Sequence, residues 1–337
     1  MTGRCVVVLN DLDDRAQGDA SLGLAGSARD LGVETWVVDV RGLTVWPDDT
    51  VRARGVRLAP AGEVADLIRG DRDAVTLQRG DVMWVRTNPA RDPSAVALHR
   101  HLPLVAELAE RQGVRVENAA RTLAIGWTKL MLAWLPHDIR PHTLVTADLQ
   151  TLVDWLRHRD APSVVKPATG THGRGVFLVR PDDGANLVQM CEAVLASGPA
   201  IAQAFVDWEG SGDIRVLLLD GEPIRISGRD AAVHRIPPTA GFRSNVHAGG
   251  AAHPVTLTPR QRDVAFAAGA TLLPHGVRVA GLDLIGDKVI EVNVHAPGGL
   301  GDMSLFTGEN IVQLVAERLL QPLPLGAAQM LGEAVTP

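Results

Sequence analysis

Gly281 to Asn293, GLDLIGDKVIEVN, reads as two short strands joined at Gly286-Asp287-Lys288. Side chains alternate along a strand. A three-residue loop sets Ile285 opposite Val289, Leu284 opposite Ile290, Asp283 opposite Glu291 and Leu282 opposite Val292. Leu282, Leu284, Ile290 and Val292 then share one face, and Asp283, Glu291 and Asn293 share the other. A two-residue turn would separate Asp283 from Glu291. One slip moves a whole face, so the pattern favours the longer loop. Two carboxylates and an amide oxygen converge on one spot. Hard cations such as Mg²⁺ take oxygen ligands, commonly shared with substrate phosphates. The plainer alternative is an exposed hairpin face that carries acids to no purpose. The hairpin alone leaves both readings open.

The chain has 337 residues, which at roughly 150 per domain implies two or three domains. With 46% hydrophobic and 21% charged residues, normal packed cores are available. A net charge of −6 lacks the basic footprint of a general nucleic-acid binder. Cys5 and Cys191 are far apart, one in an expected buried strand and one in an expected helix. That is cytosolic usage, neither a disulfide framework nor a zinc site. The first apolar run is too short for a signal peptide, and no window reaches the ~20 apolar residues of a membrane span. The expectation is a soluble cytoplasmic protein with neither nucleic acid nor membrane as partner.

Residues 4–10 (RCVVVLN) read as a buried strand, 12–31 as a helix stopped at Gly32, 33–40 as a second strand and 82–86 (VMWVR) as a third. Residues 95–112 are helix-like with Gly113 as stop, and 114–118 return as a strand. This alternation implies a parallel α/β domain over roughly 1–120. No Gly-x-Gly-x-x-Gly follows the first strand, so a dinucleotide fold lacks support. Arg86-Thr-Asn-Pro89 stands at a strand's carboxyl end, where open α/β sheets place ligands. Arg86 there either clamps a carboxylate or ends a surface strand.

Residues 122–135 read as a helix carrying Lys129, and Thr146 as the N-cap of an amphipathic helix over 147–159. Strand 163–167 carries Lys166 near its end. A glycine-rich hairpin, 168–175, and a strand, 176–181, follow. Glycines let N–H groups approach phosphate oxygens, and lysines supply point charges for them. The hairpin opens no helix, so it is neither a P-loop nor a Rossmann turn. Helix 186–197 and strand 200–206 lead to an acidic segment, 207–213. Residues 214–221 and 222–229 read as a hairpin, with Asp213 and Arg215 on one face. Residues 234–250 form a long loop with Arg235, Arg243 and Asn245, suited to a lid over anions. Thr258-Pro259-x-Gln261 is a capping box that opens helix 260–273, with Val264, Ala267, Ala268, Thr271 and Leu272 on one face. A closing helix spans 309–320, and the tail is loose from Leu323. The histidines lack a metal-binding spacing; His172 and His295 read as solvated loop residues.

In chain order stand Lys129, Lys166 with its glycine hairpin, Asp213 and Arg215, an Arg/Asn loop, and Asp283 with Glu291-x-Asn293. Together with SGDIRVLLLDGEP (211–223), RIP (235–237), Arg243-Ser-Asn245 and VVKPATGTHGRGVFLV (164–179), these blocks resemble bacterial glutathione synthetases of the ATP-grasp superfamily. The likeness covers about 120–320 well and the first domain loosely. It implies an ATP-grasp fold, two α+β lobes gripping ATP, preceded by an N-terminal parallel α/β domain. The implied units are 1–121, a central lid domain 122–207, a C-terminal domain with the metal site 208–325, and a tail 326–337. For ATP binding the resemblance implies Lys129, Lys166, Gly170, Thr171, His172, Gly173, Arg174, Gly175, Gln203, Ala204, Phe205, Val206 and Asp213. Asp283, Glu291 and Asn293 would hold Mg²⁺, two ions, with Mn²⁺ as a substitute. Arg215, Arg235 and Arg243 would be catalytic; Arg86, Asn245, Gly298 and Gly299 would bind substrates. A homo-oligomer acting on a small-molecule carboxylate and amine is implied as well.

The implied reaction is amide-bond formation through an acyl phosphate. A carboxylate oxygen leaves badly, and phosphorylation by ATP turns it into a good leaving group. The transfer needs positioning and charge neutralisation, which Mg²⁺ and arginines provide. The chain departs from the family pattern in a less glycine-dense hairpin, TGTHGRG, and in His-Ala-Pro-Gly-Gly after Asn293, where the family has Ser-Pro followed by a threonine. The substrates are therefore either γ-glutamylcysteine with glycine or another peptide or amino-acid pair. A kinase of the same fold, or a nucleotide-binding module without catalysis, remains as an alternative. Alanine at Asp283 or Glu291 is expected to abolish turnover and leave the melting curve unchanged.

Overall fold

A computed structural model describes residues 3–13, 19–170, 175–184, 186–207, 212–236 and 251–323. The first sheet contains β1 (Cys5–Leu9), β2 (Thr35–Val45), β3 (Val51–Arg57), β4 (Asp73–Thr76), β5 (Val82–Val85) and β6 (Arg115–Glu117), in the order β4-β3-β2-β1-β5-β6. β1 runs parallel to β2 and β5, and β5 to β6, as alternation with helices predicts. β3 and β4 add antiparallel edges, so the sheet is mixed rather than purely parallel. Their arginine- and glycine-rich stretch carries little apolar signal, although Val51, Ala53 and Val56 are buried. α1 (Asp19–Asp30), α2 (Val64–Leu67), α3 (Val96–Arg111) and α4 (Ala120–Ile125) belong to this part. Gly32 and Gly113 stop α1 and α3 at φ +80° and +85°, a conformation that costs glycine nothing.

The expected helix 122–135 is broken. A Cβ at Gly126 would lie 2.3 Å from Val294 Cγ2, so α4 ends where it docks. Lys129–Trp134 continues as a 3-10 helix. The second sheet is antiparallel: β7 (Thr143–Thr146), β8 (Ser163–Pro167), β9 (Phe177–Val179) and β10 (Ala200–Ala204), in the order β7-β10-β8-β9. α5 (Leu149–Arg157) and α6 (Leu187–Leu195) cover it, closing a core of Leu152, Leu156, Val165, Cys191 and Ala202 among others. Asp148, not Thr146, caps α5: its carboxylate accepts from Thr151 N at 2.7 Å, while Thr146 Oγ1 accepts from Asp148 N at 3.0 Å.

The third sheet has β11 (Asp213–Leu219), β12 (Glu222–Pro223), β15 (Ala232–Ile236), β16 (Ala251–Pro254), β17 (Val279–Ile285) and β18 (Lys288–Asn293). Its order is β16-β15-β11-β17-β18, with β12 beside β11. The hairpin expected over 214–229 is only two pairs long; Pro223 offers no N–H to extend it. β13 (Arg225–Ile226) and β14 (Arg229–Asp230) form a separate ribbon, and β11 pairs mainly with β15 and β17. α7 (Pro259–Leu272) begins with the complete Thr258/Gln261 capping box. It buries Ala265 and Gly269 where Ala267 and Thr271 were expected. A Cβ at Gly269 would meet Gly221 O at 2.0 Å, and this close approach sets the helix's rotation. α8 (Leu300–Thr307), which the pattern did not reveal, precedes α9 (Ile311–Leu320). α1, α9 and residues of β1, β11 and β17 share one core, so the first and third sheets are packed together. No described helix is long and apolar enough to cross a membrane.

Candidate active site

The β17–β18 hairpin closes with a two-residue turn, Gly286-Asp287, not the expected three-residue loop. Gly286 takes φ +58°, the role of the leading glycine in a tight hairpin turn. Asp283 still faces Glu291, because a bulge inserts Ile290 and restores the register: Leu284 pairs with Val289, then Asp283 with Glu291 and Leu282 with Val292. One extra residue in one strand is what a bulge supplies. In consequence Val289, not Ile290, joins Leu282, Leu284 and Val292 in the core.

On the opposite face the registers build a row of charge. Arg235 on β15 faces Asp213 on β11. Arg215, two residues along β11, faces Asp283 on β17, and Asp283 faces Glu291 on β18. Period-two alternation within each strand, with these registers and the bulge at Ile290, brings all five to one face. Arg235 grips Asp213 through Nε and NH2, both at 2.6 Å, and reaches Asp283 Oδ1 at 3.0 Å. Arg215 holds Asp283 through Nε, and through NH2 at 2.9 Å. Burial alone would raise the Asp283 carboxyl, but Arg215 and Arg235 bring it down to about 2. Burial likewise works against charge on Arg235, yet Asp283 and Asp213 raise its pKa. Directly opposed carboxylates repel; the arginines offset this at Asp283.

Gly281 is a site residue that the sequence reading missed. Arg215 lies across it, and a Cβ there would come 3.0 Å from Arg215 Cδ and 3.2 Å from Pro297 Cβ. A lone glycine inside an apolar strand is the available signal for such an approach. Arg215 NH1 reaches Gly298 O at 3.5 Å, and Gly299, at φ +98°, begins α8. Arg86 is buried, with Nε on Ser21 Oγ at 3.3 Å and NH2 on Pro297 O at 3.2 Å. Burial lowers its pKa to about 10. The loop after Asn293 is thus held from both sides by Arg86 and Arg215.

Lys166 crosses from the second sheet to the third. Its Nζ donates to Ile290 O, the bulged residue, at 3.2 Å. Burial lowers its pKa to about 8, with Glu291 opposing and Lys129 adding to the effect. Lys129 Nζ donates to Gly170 O at the glycine hairpin. Gly170 and Gly175 take φ +105° and +68°. Gln203 is buried and donates to Thr143 Oγ1 at 3.3 Å; Ala204, Phe205 and Val206 continue from it at the end of β10, with Phe205 exposed. Thr171, His172, Gly173, Arg174, Arg243 and Asn245 lie outside the described residues, as do most of the expected 234–250 lid and the tail from 324.

His295 is no solvated loop residue. Its Nε2 lies 3.1 Å from Leu123 O, and burial lowers its pKa to about 4. Among the described residues no group of three or more His, Cys, Asp or Glu could hold a metal ion. The oxygen donors at the hairpin are Asp283, Glu291 and the amide of Asn293. Asn293 Nδ2 points at Asp283 Oδ2, 3.3 Å away, and at Gly281 O, which leaves its Oδ1 for another partner. This hard donor set fits Mg²⁺, although arginines already engage both Asp283 oxygens.

Residues 4–123 match the prokaryotic glutathione synthetase N-terminal domain and residues 128–308 the prokaryotic glutathione synthetase ATP-grasp domain. The glutathione synthetase of Nitrosomonas europaea is 31% identical over 265 residues, 78% of this chain and 79% of that enzyme. That of Coxiella burnetii is 35% identical over 225 residues; the match spans 66% of each chain. The crystal structure of D-cycloserine synthetase DcsG superposes with a TM-score of 0.64 at 18% identity, covering 94% of this chain and 99% of that one. This last likeness is one of fold, the ATP-grasp fold. Five ordered blocks, the charged row across β15, β11, β17 and β18, and these matches agree: the chain belongs to the prokaryotic glutathione synthetase family of ATP-dependent ligases, which form an amide bond with release of ADP.

Proposed function

We propose that this ligase joins γ-glutamylcysteine to glycine. The row Arg235, Asp213, Arg215, Asp283, Glu291 carries the reading, because it faces Lys166 with both charge signs that phosphoryl transfer needs. The family works with ATP and Mg²⁺. Bound at Asp283, Glu291 and Asn293, Mg²⁺, proposed as two ions that Mn²⁺ can replace, supplies neutralisation of the phosphate charge. Lys129 and Lys166 hold ATP phosphates, together with the glycine-rich residues 170–175. Gln203, Ala204, Phe205 and Val206 border the base, and Asp213 keeps Arg235 in place. Arg215 and Arg235, with Arg243, steady the phosphoryl group while a donor carboxylate oxygen attacks it and ADP leaves. The amine then attacks the acyl carbon; the C–N bond forms, the C–O bond to phosphate breaks, and the amine proton passes to solvent. Arg86, Asn245, Gly298 and Gly299 position the two substrates.

We further propose the units 1–121, 122–207 and 208–325 with a tail 326–337, and a cytoplasmic homo-oligomer; the two buried free thiols suit a reducing compartment. The test is ADP release by purified protein with ATP, Mg²⁺, γ-glutamylcysteine and glycine. Release that requires both partners, with the tripeptide found by mass spectrometry, is the expected result. A different donor or acceptor as the sole productive pair would replace these substrates, and a phosphorylated hydroxyl product would overturn ligation itself.

A further inference from the structure

His99, Trp127 and His295 come from three separate parts of the chain and meet edge to face. The ring centroids lie 6.3 Å apart for His99 and Trp127 and 6.5 Å apart for Trp127 and His295, at 65° and 76°. His99 sits on α3, Trp127 just before the Lys129 segment, and His295 two residues after Asn293. His99 Nε2 lies 3.1 Å from Asp92 Oδ2, and His295 Nε2 lies 3.1 Å from Leu123 O. A carboxylate and a carbonyl only accept, so each Nε2 carries a proton. Both Nδ1 atoms and Trp127 Nε1 are buried and have no hydrogen-bond partner among the described residues. Orphaned buried polar atoms are uncommon and call for a reason; an interface serving cohesion alone would be filled with apolar groups. At one end the stack joins Asp92, which receives Arg41 at 3.1 Å, and Arg41 also donates to Asn10 O at 2.9 Å. At its other end it begins the loop whose Pro297 and Gly298 carbonyls are held by Arg86 and Arg215.

We propose that Trp127, wedged between His99 and His295, is a positioning residue for the acceptor: it fixes the 295–299 loop and so sets which amine attacks the acyl phosphate. The inference rests on the ligase reading. It assigns the stack to substrate positioning and not to ATP binding because the loop carries Gly298 and Gly299, whereas the two lysines hold Ile290 and Gly170.

Trp127→Ala and Trp127→Phe test it, with hydroxylamine as a probe that captures the acyl phosphate as a hydroxamate without the natural acceptor. In Trp127→Ala the KM for the amine rises about tenfold or more, while hydroxamate formation and the KM for ATP stay within about twofold. Trp127→Phe keeps the wedge and recovers most of the loss. Equal loss of hydroxamate and amide, or an unchanged amine KM, overturns the proposal. If the wild type forms no hydroxamate with any carboxylate, the ligase reading fails instead. The loop is then read by hydrogen exchange: amides of 294–301 that exchange no faster in Trp127→Ala overturn the positioning role.

Discussion

Glu291 and Asp283 share a register position, but among the described residues only Asp283 is gripped by arginines, while Glu291 favours the charge on Lys166. Glu291→Gln removes a carboxylate opposed to another one. We expect turnover to fall about 10²-fold or more with a melting temperature little changed, since the relief at Asp283 is offset by the support that the buried Lys166 loses. Asp283→Ala leaves Arg215 and Arg235 buried with one counter-charge fewer. Because Asp213 still neutralises Arg235, the cost falls at the lower end of the roughly 3–5 kcal/mol of a broken buried pair. The expectation of an intact melting curve therefore survives for Glu291 and not for Asp283; parallel melts and ADP assays read both. His99 gives a pH prediction at the same scale. Burial lowers its pKa below 6.5, more than Asp92 raises it. A depressed histidine adds stability that is full above the unfolded value and is lost as pH falls below it. Melting temperatures from pH 7.5 to 5.5 should decline in the wild type and decline less in His99→Gln. Equal slopes would remove His99 from the account.

The β17–β18 hairpin shows how far a sequence reading reaches. The acidic face was readable because period-two alternation is a property of the strand alone. The turn length was not, because the bulge at Ile290 is tied to something far away in sequence: Ile290 O receives Lys166 from another sheet. Gly126, Gly269 and Gly281 escaped for the same reason, since each matters through the neighbour that a Cβ would strike. The lysine itself is costly to bury, with a pKa lowered to about 8. Lys166→Met keeps the bulk and removes the charge, and replacing a buried charge by an apolar group of similar size is often neutral or stabilising. The expected variant melts no lower than the wild type but binds ATP more weakly, as isothermal calorimetry would measure. A large fall in melting temperature would make Lys166 a structural residue first. α7 gives the converse case: Gly269→Ala forces a Cβ toward Gly221 O, 2.0 Å away, and should cost about 1–3 kcal/mol or more in urea melts.

At the scale of the molecule, Arg278 joins the first sheet to the third. Its side chain is 3% exposed. It donates to Glu117 at the end of β6 and to Asp220 after β11, both at 2.7 Å, and to the carbonyls of Arg318 and Gln321 at the end of α9. Asn118, beside Glu117, adds its side chain to the main chain of Arg278, Val279 and Val294. The same two sheets share a hydrophobic core, whereas the second sheet closes a core of its own. Loss of Arg278 should therefore act on two sheets at once and spare the other. At pH 8, above the value of about 7 to which burial raises Glu117, that carboxylate is charged, and Arg278→Met takes away the partner it shares with Asp220. Arg115 and Arg318 remain beside them, so the cost lies near the lower end of roughly 3–5 kcal/mol. Native-state hydrogen exchange resolves where it falls. Protection at Val7 on β1 and Leu217 on β11 should drop together, while Val165 on β8 and Ala202 on β10 keep theirs. A drop confined to one of the first two sheets would mean that they unfold as separate units, and a drop at Val165 would mean that the second sheet has no independent core.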